Sequence, residues 1–304
     1  MRVAVTGSSG LVGRALVPSL RASGHEVLGL VRRSPRSDGE LRWDPERGEA
    51  DVSRLDGVDA VVNLAGENLA AGRWTEARKA RLRSSRIEAT QLLARTLAGL
   101  AKRPTVLVSA SAVGYYGNRG NDWLDETSPP GTDFLARLCV EWERATEGAA
   151  RAGIRVVRLR TGLVLCPRGG ALAKMLPLFR AGLGGILGPG TQYVSWIAID
   201  DLVAAIGHAL LTPALDGALN AVAPTPVTNL ELTKTLGRAL GRPTFARAPA
   251  LALRLALGEL ADATLLASQR VRPERLLATG YRFAFPTLPA AIGHVLGTPG
   301  QPGT

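Results

Sequence analysis

Cysteine is nearly absent from this 304-residue chain: Cys139 and Cys166 are the only two. Their separation fits no CxxC redox or metal motif, and a disulfide framework is excluded. Histidine is equally scarce. His25, His208 and His294 have no carboxylate or cysteine at ligand spacing, so no metal site is expected. No run of 18 uncharged apolar residues exists, which excludes a transmembrane helix. Met1 leads straight into RVAVT without a signal-peptide pattern, and with so few thiols this gives a cytoplasmic expectation. Lysine is rare too: of 37 basic residues four are lysine and 33 arginine.

What is present is a folding composition, 46% hydrophobic and 21% charged, long enough for one large domain or one plus a small lobe. The net charge is +11. It is thinly spread and reads as GC-rich coding bias more than as a nucleic-acid footprint. One stretch is denser. Between Arg73 and Arg103 nine basic residues meet two acids, Glu76 and Glu88, which gives a basic helix. No aromatics interleave there to stack on bases. The partner expected is therefore a small-molecule substrate, with no specific nucleic acid and no membrane, and the chain is expected as a monomer or homodimer.

Strand and helix patterns alternate over the first 165 residues. Strands are expected at 2–6, 26–31, 58–64, 105–109 and 154–159, and helices at 11–20, 75–99 and 133–152. This is the pattern of a parallel sheet with crossover helices. Beyond Pro167 the chain turns glycine-rich, then strand-like at 193–199. Helical stretches follow at 200–211, 228–241, 248–267 and 286–296. The fold class expected is α/β, a Rossmann-type doubly wound parallel sheet with a smaller C-terminal substrate lobe. Residues 1–167 form the cofactor domain, with 193–222 returning to it. Residues 168–192 and 223–297 form the lobe, and 298–304 a disordered tail.

The strongest motif is Gly7-Ser8-Ser9-Gly10-Leu11-Val12-Gly13, directly after the first strand and at the start of a helix. Gly7 permits a tight turn, Gly10 lets backbone approach a pyrophosphate, and Gly13 lets the helix sit close to the sheet. The helix tip, through Ser9, Leu11 and Val12, offers unpaired N–H groups to phosphate. The second strand ends Val31-Arg32-Arg33, where NAD binders usually carry an acid. Arginine there pairs with a 2′-phosphate, so NADP(H) is expected over NAD(H), with Arg32 and Arg33 as its ligands. Leu64, Ala65 and Gly66 close the next strand with small residues against which ribose and phosphate can lie. Arg86 is the residue of the basic helix expected to turn back to the cofactor.

These motifs, with Ser109-Ala110-Ser111, Tyr115-Tyr116-Gly117, Arg160-Thr161-Gly162 and Asp200-Asp201-Leu202, resemble the extended short-chain dehydrogenase/reductase superfamily. Within it the resemblance is to the nucleotide-sugar epimerase and dehydratase branch. More narrowly, NLAGENLAAGRW at 63–74, SASAVGYYG at 109–117 and DFLARLCVEWE at 133–143 resemble an atypical epimerase-like family once labelled a cell-division-inhibitor relative. GLGGILGPGTQYVSWIAIDDL at 182–202 and ASQRVRPERLLATGYRF at 267–283 extend the match over about 1–297. The resemblance implies a Rossmann domain with a C-terminal lobe over bound NADP(H). It adds Ser109, Arg160 and Thr161 to the cofactor positions, and Gln192 and Trp196 as substrate contacts.

The superfamily's chemistry uses Ser, Tyr and Lys. Ser111 matches the serine. Counting back from Glu143, the lysine position falls on Cys139 and the tyrosine position on Leu135, so both groups are missing. Losing a positioned acid/base costs about 10²–10⁴ in rate. Tyr115 and Tyr116, on the same loop as Ser111, are the candidate substitute acids. Cys139 is a conceivable thiol base, but it lies on an apolar stripe with Phe134, Leu135, Leu138 and Trp142 that suits a core residue. Two functions follow. One is an NADP(H)-dependent oxidoreductase or epimerase-like enzyme acting on an unknown carbonyl, hydroxyl or sugar-nucleotide substrate. The alternative is a catalytically silent NADP(H)-binding sensor or partner-binding protein.

Overall fold

The computed structural model describes residues 1–50 and 54–297. The expected tail at 298–304 lies outside the described residues. Seven parallel strands form the centre: β1 Arg2–Thr6, β2 Glu26–Val31, β3 Glu40–Asp44, β4 Ala60–Asn63, β5 Val106–Ala112, β6 Arg155–Thr161 and β7 Gly217–Ala221. Their order is β7-β6-β5-β4-β1-β2-β3, and a two-residue strand, Glu49–Ala50, pairs antiparallel on β3. The strand order reverses between β1 and β4, which face each other in register from Val3–Ala60 to Thr6–Asn63. In such sheets ligands bind beyond the carboxyl ends of the strands at this switch point.

Near-continuous apolar runs let the strands be buried on both faces. Val3, Val5, Val62, Val108 and Val157 face one layer, completed by Leu16 and Leu20 of α1 (Leu11–Ala22) and by Leu202, Ile206 and Leu210 further along the chain. Ala4, Val61, Leu107 and Val156 face the other layer, completed by Leu93 and Leu97. The expected 75–99 helix is three end-to-end pieces: α2 Glu76–Arg83, a π turn Ser84–Glu88, and α3 Ala89–Ala98. The expected 133–152 helix is α4 Phe134–Arg144 followed by the short Glu147–Arg151.

The chain leaves the sheet after β6 and builds a second cluster. Leu172, Leu176 and Phe179 of α5 (Gly170–Arg180) pack with Trp196, with Leu232 and Leu236, and with Leu288 and Ile292. It then returns through α6 (Ile199–Leu211) to β7 and leaves again into α7 (Asn229–Leu240), α8 (Ala250–Leu257) and α9 (Leu288–Leu296). The strand expected over 193–199 is two pieces, Tyr193–Val194 and Trp196–Ala198, and Ile199 already belongs to α6. Among the described residues no helix is long and apolar enough to cross a membrane.

Candidate functional site: a glycine turn at the switch point

The Gly7–Gly13 turn lies at the carboxyl end of β1. Gly7 has φ +65°, and a Cβ there would stand 2.8 Å from the Leu64 carbonyl carbon, so the two loops of the switch point touch. A Cβ on Gly13 would stand 2.3 Å from the Gly7 carbonyl oxygen, so its smallness serves the turn itself as much as the helix–sheet distance. A Cβ on Gly10 would meet only the Gly7 carbonyl oxygen, at 3.1 Å. Gly10 caps α1 without a side chain, and the first turn carries no acid. Backbone N–H groups at this tip are thus left for an anion. This cradle fits a dinucleotide pyrophosphate.

The adjoining loop is held by one hydroxyl. Thr6 Oγ1 donates to Asn63 Oδ1 (2.7 Å) and accepts from the backbone N of Leu64 (3.1 Å) and Ala65 (3.2 Å). Asn63 Nδ2 donates to Thr90 Oγ1 (3.0 Å) and to Ser109 Oγ (3.1 Å). Ser109 is buried. Its hydroxyl, through Asn63, is a strut for the Leu64-Ala65-Gly66 loop.

The two arginines after β2 differ. Arg33 Nη1 donates to Glu40 Oε2 (2.7 Å), and Nη2 bonds the other carboxylate oxygen. This hydrogen bonding holds the Glu40 carboxyl down at about 2. Arg33, expected as a 2′-phosphate ligand, is paired with Glu40 in this structure. Arg32 keeps a side chain 72% exposed, with one 3.4 Å contact to Glu46.

The expected catalytic positions form a closed polar cluster instead of an open site. Ser111 Oγ donates to Glu143 Oε1 (2.8 Å). Arg160 Nε and Nη2 donate to the same carboxylate (2.8 and 2.9 Å), and Nη1 donates to the Tyr116 hydroxyl (3.1 Å). Tyr116 in turn donates to Asn220 Oδ1 (2.7 Å), whose backbone N donates to Glu126 Oε1. Arg160 is 4% exposed and Tyr116 not at all. Burial pushes the Tyr116 phenol up to about 12 despite the Arg160 charge. Desolvation works against the Arg160 cation, but Glu143 outweighs it and the pKa rises.

Ser111 and Tyr116 have their oxygens committed inside the protein, Arg160 is occupied by Glu143, and Thr161 Oγ1 donates to the Leu159 carbonyl (3.3 Å). Tyr115 remains. It is partly buried, and the Arg160 guanidinium carbon stands 3.4 Å from its ring centroid.

The two positions expected for the Tyr and Lys, Leu135 and Cys139, are packed. Leu135 fills the space beside Gly114, where a Cβ would lie 2.6 Å from Leu135 Cδ2. Cys139 is buried among Phe134, Leu138 and Trp74, and burial pushes its thiol up to about 12. Gln192 and Trp196, expected as substrate contacts, both lie buried in the fold. Trp196 is wholly buried, with Nε1 donating to the Thr225 carbonyl (2.9 Å). Gln192 is buried and ties the Leu187 and Leu265 carbonyls together through Nε2 (2.9 Å each). Glu143 is the buried partner that completes the polar cluster of Ser111, Arg160 and Tyr116. Its signal was a carboxylate on the apolar stripe of α4, four residues after Cys139, where burial demands a cation.

A doubly wound parallel sheet with an acid-free glycine turn at its switch point defines a dinucleotide-binding protein of the Rossmann class. Residues 3–221 match the NAD dependent epimerase/dehydratase family, and residues 248–295 match a domain of unknown function, DUF1731. The chain belongs to the NAD dependent epimerase/dehydratase family. It is 49% identical over 300 residues to the epimerase family protein Mb2239 of Mycobacterium bovis, covering 98% of each chain. It is 42% identical over 299 residues to the human epimerase family protein SDR39U1, covering 97% of this chain and 100% of that one. The crystal structure of human SDR39U1 (isoform 2) with NADPH matches with a TM-score of 0.91 at 40% identity, covering 98% of this chain and 99% of that one. A nucleoside-diphosphate sugar epimerase from Corynebacterium glutamicum matches with a TM-score of 0.81 at 42% identity, covering 98% of this chain and 58% of that one.

Proposed function

We propose that this chain binds NADP(H) at the switch point and works as an epimerase- or oxidoreductase-like protein on a small hydroxyl, carbonyl or sugar-nucleotide substrate, without the usual Tyr/Lys pair. The observation that carries the reading is the uncapped Gly7–Gly13 turn with Arg32, and no acid, after β2. A relative of the same fold crystallised with NADPH supports it. When bound, NADP(H) supplies hydride acceptance and donation. The turn's N–H groups receive the pyrophosphate, Leu64–Gly66 line the ribose side, and Arg32 receives the 2′-phosphate. Calorimetric titration tests this: NADPH binds more tightly than NADH, and Arg32→Ala weakens NADPH by about tenfold, near 1.4 kcal/mol, while leaving NADH unchanged. Tighter binding of NADH sinks the reading.

Of the polar groups expected to do acid/base work, Tyr115 is the one left to move a proton. Tyr115→Phe lowers turnover by about 10²–10⁴ with NADPH affinity retained. A second reading, a silent NADP(H)-binding sensor, is favoured by the commitment of Ser111 and Tyr116 and by the burial of Cys139. It predicts the same titrations with no NADPH consumption across a carbonyl panel, and an unchanged Tyr115→Phe.

A further inference from the structure

The inward-turned arginines of this fold meet acceptors. Arg160 forks onto Glu143, Arg78 pairs with Glu67, and Arg86, on the π turn Ser84–Glu88, donates through Nη2 to the Glu67 carbonyl (2.8 Å). Arg270 differs. Among the described residues its side chain makes no hydrogen bond and no ion pair, and its Nε is buried without an acceptor.

A two-strand ribbon sets its place. Trp123–Leu124 runs parallel to Arg270–Val271, with Arg270 opposite Trp123 and Val271 opposite Leu124. Leu124 and Val271 are buried against Val113, Tyr116 and Val222. Successive strand side chains alternate between faces, so Trp123 and Arg270 stand together on the other face. At the ribbon's other edge the Gln269 amide donates to the Tyr193 carbonyl (3.0 Å), which brings in the Tyr193 ring. The Arg270 guanidinium carbon lies 4.0 Å from the Trp123 ring centroid and 4.5 Å from that of Tyr193. Arg272 places its own guanidinium carbon 3.8 Å from the Trp123 centroid. Among the described residues its one carboxylate contact is Glu274, at 3.8 Å.

A ring engages the face of a guanidinium and leaves its edge, with the N–H fork, free. Arg160 shows the complete arrangement within this fold. Its guanidinium carbon stands 3.4 Å from the Tyr115 centroid while its edge holds both oxygens of Glu143. Arg270 repeats the stack with the edge unfilled. The two guanidiniums that share Trp123 lie within one Debye length of each other, about 8 Å at physiological salt, and they repel. A carboxylate would match one of them. A phosphomonoester, with a charge of about −1.5 to −2 at neutral pH, matches both and offers its oxygens to the fork.

We propose that Arg270 and Arg272, set on Trp123, form a binding site for the phosphate group of a small phosphorylated molecule, on the face of the ribbon turned away from Tyr116. This site goes beyond the dinucleotide reading above and does not depend on it.

Trp123 is the reporter. It is 41% exposed, whereas Trp43, Trp74, Trp142 and Trp196 are all buried. Inorganic phosphate, titrated against chloride at equal ionic strength, gives a saturable change in tryptophan emission. Trp123→Phe abolishes that optical signal and keeps calorimetric binding within a few-fold, because a ring face remains. Arg270→Gln weakens phosphate binding by about tenfold or more, the loss expected of a charge-assisted fork. Arg270→Lys does not restore it, because an ammonium has no fork. A merely structural stack predicts a lower melting temperature in Arg270→Gln and no response of the wild-type protein to phosphate, and that result overturns the proposal. So does unchanged phosphate affinity in Arg270→Gln, which places the ion elsewhere. Should Arg270→Gln not fold, Arg272→Gln, at a side chain 47% exposed, must lose phosphate affinity several-fold, and unchanged affinity there overturns the proposal equally. A phosphoserine peptide that binds far more tightly than free phosphoserine makes the ligand a modified protein and overturns the small-molecule assignment.

Discussion

Glu143→Ala is expected to destabilise the protein by about 3–5 kcal/mol, the cost of stripping one partner from a buried ion pair. Glu143 accepts from Ser111 and twice from Arg160, and Arg160 is only 4% exposed. Removing the carboxylate leaves a guanidinium that water cannot reach. Tyr116 offers it one hydroxyl and Tyr115 a ring face, and neither carries a charge. Glu143→Leu combined with Arg160→Met should cost less than Glu143→Ala alone, because both ions leave together. Urea unfolding of the single and double variants gives the coupling directly. A cost under about 1 kcal/mol for Glu143→Ala, the range of an exposed pair, would mean that the cluster is wet and open, and Ser111 would again be a candidate catalytic group.

Gly13→Ala is expected to abolish nucleotide binding, with an affinity loss of about 100-fold or more, near 2.7 kcal/mol. Its Cβ would stand 2.3 Å from the Gly7 carbonyl oxygen and 2.6 Å from the Ser8 Cα. Both neighbours are backbone, so the turn must open and its N–H groups lose their common aim. Gly10→Ala makes the useful contrast. It meets one oxygen at 3.1 Å, so the empty turn keeps its shape with a small adjustment. A large loss of NADPH affinity in Gly10→Ala, with melting temperature preserved, locates the ligand against Gly10. Equal behaviour of the two variants would argue that no phosphate approaches there. Calorimetry and thermal melting of each protein decide it.

The strands at 2–6 and 26–31 were legible because they are buried on both faces and read as unbroken apolar runs. Others were hidden. Glu40–Asp44 sits among Ser, Pro, Asp and Gly, and its only signal is the two-residue spacing of buried Leu41 and Trp43. Gly170–Arg180 was masked by neighbouring glycines, although Leu172, Leu176 and Phe179 keep helical spacing. Gly217–Ala221 has no β-branched residue and is placed by its pairing with β6. In the site, the glycine turn is local chemistry and shows in the sequence. The partners of polar groups are not local. Arg33 is claimed by Glu40, Ser111 by Glu143 and Tyr116 by Asn220, 104 residues away. Folding brings these together, and no local pattern in the sequence announces the pairing.

The last strand of the sheet is written into the chain after the first part of the second hydrophobic cluster. A polypeptide stopped at the end of β6 would expose a naked edge that β7 normally covers, an invitation to pair with other chains. Replacing the second hydrophobic cluster as a unit would therefore require exchanging two separate stretches of chain while keeping the segment between them that carries β7.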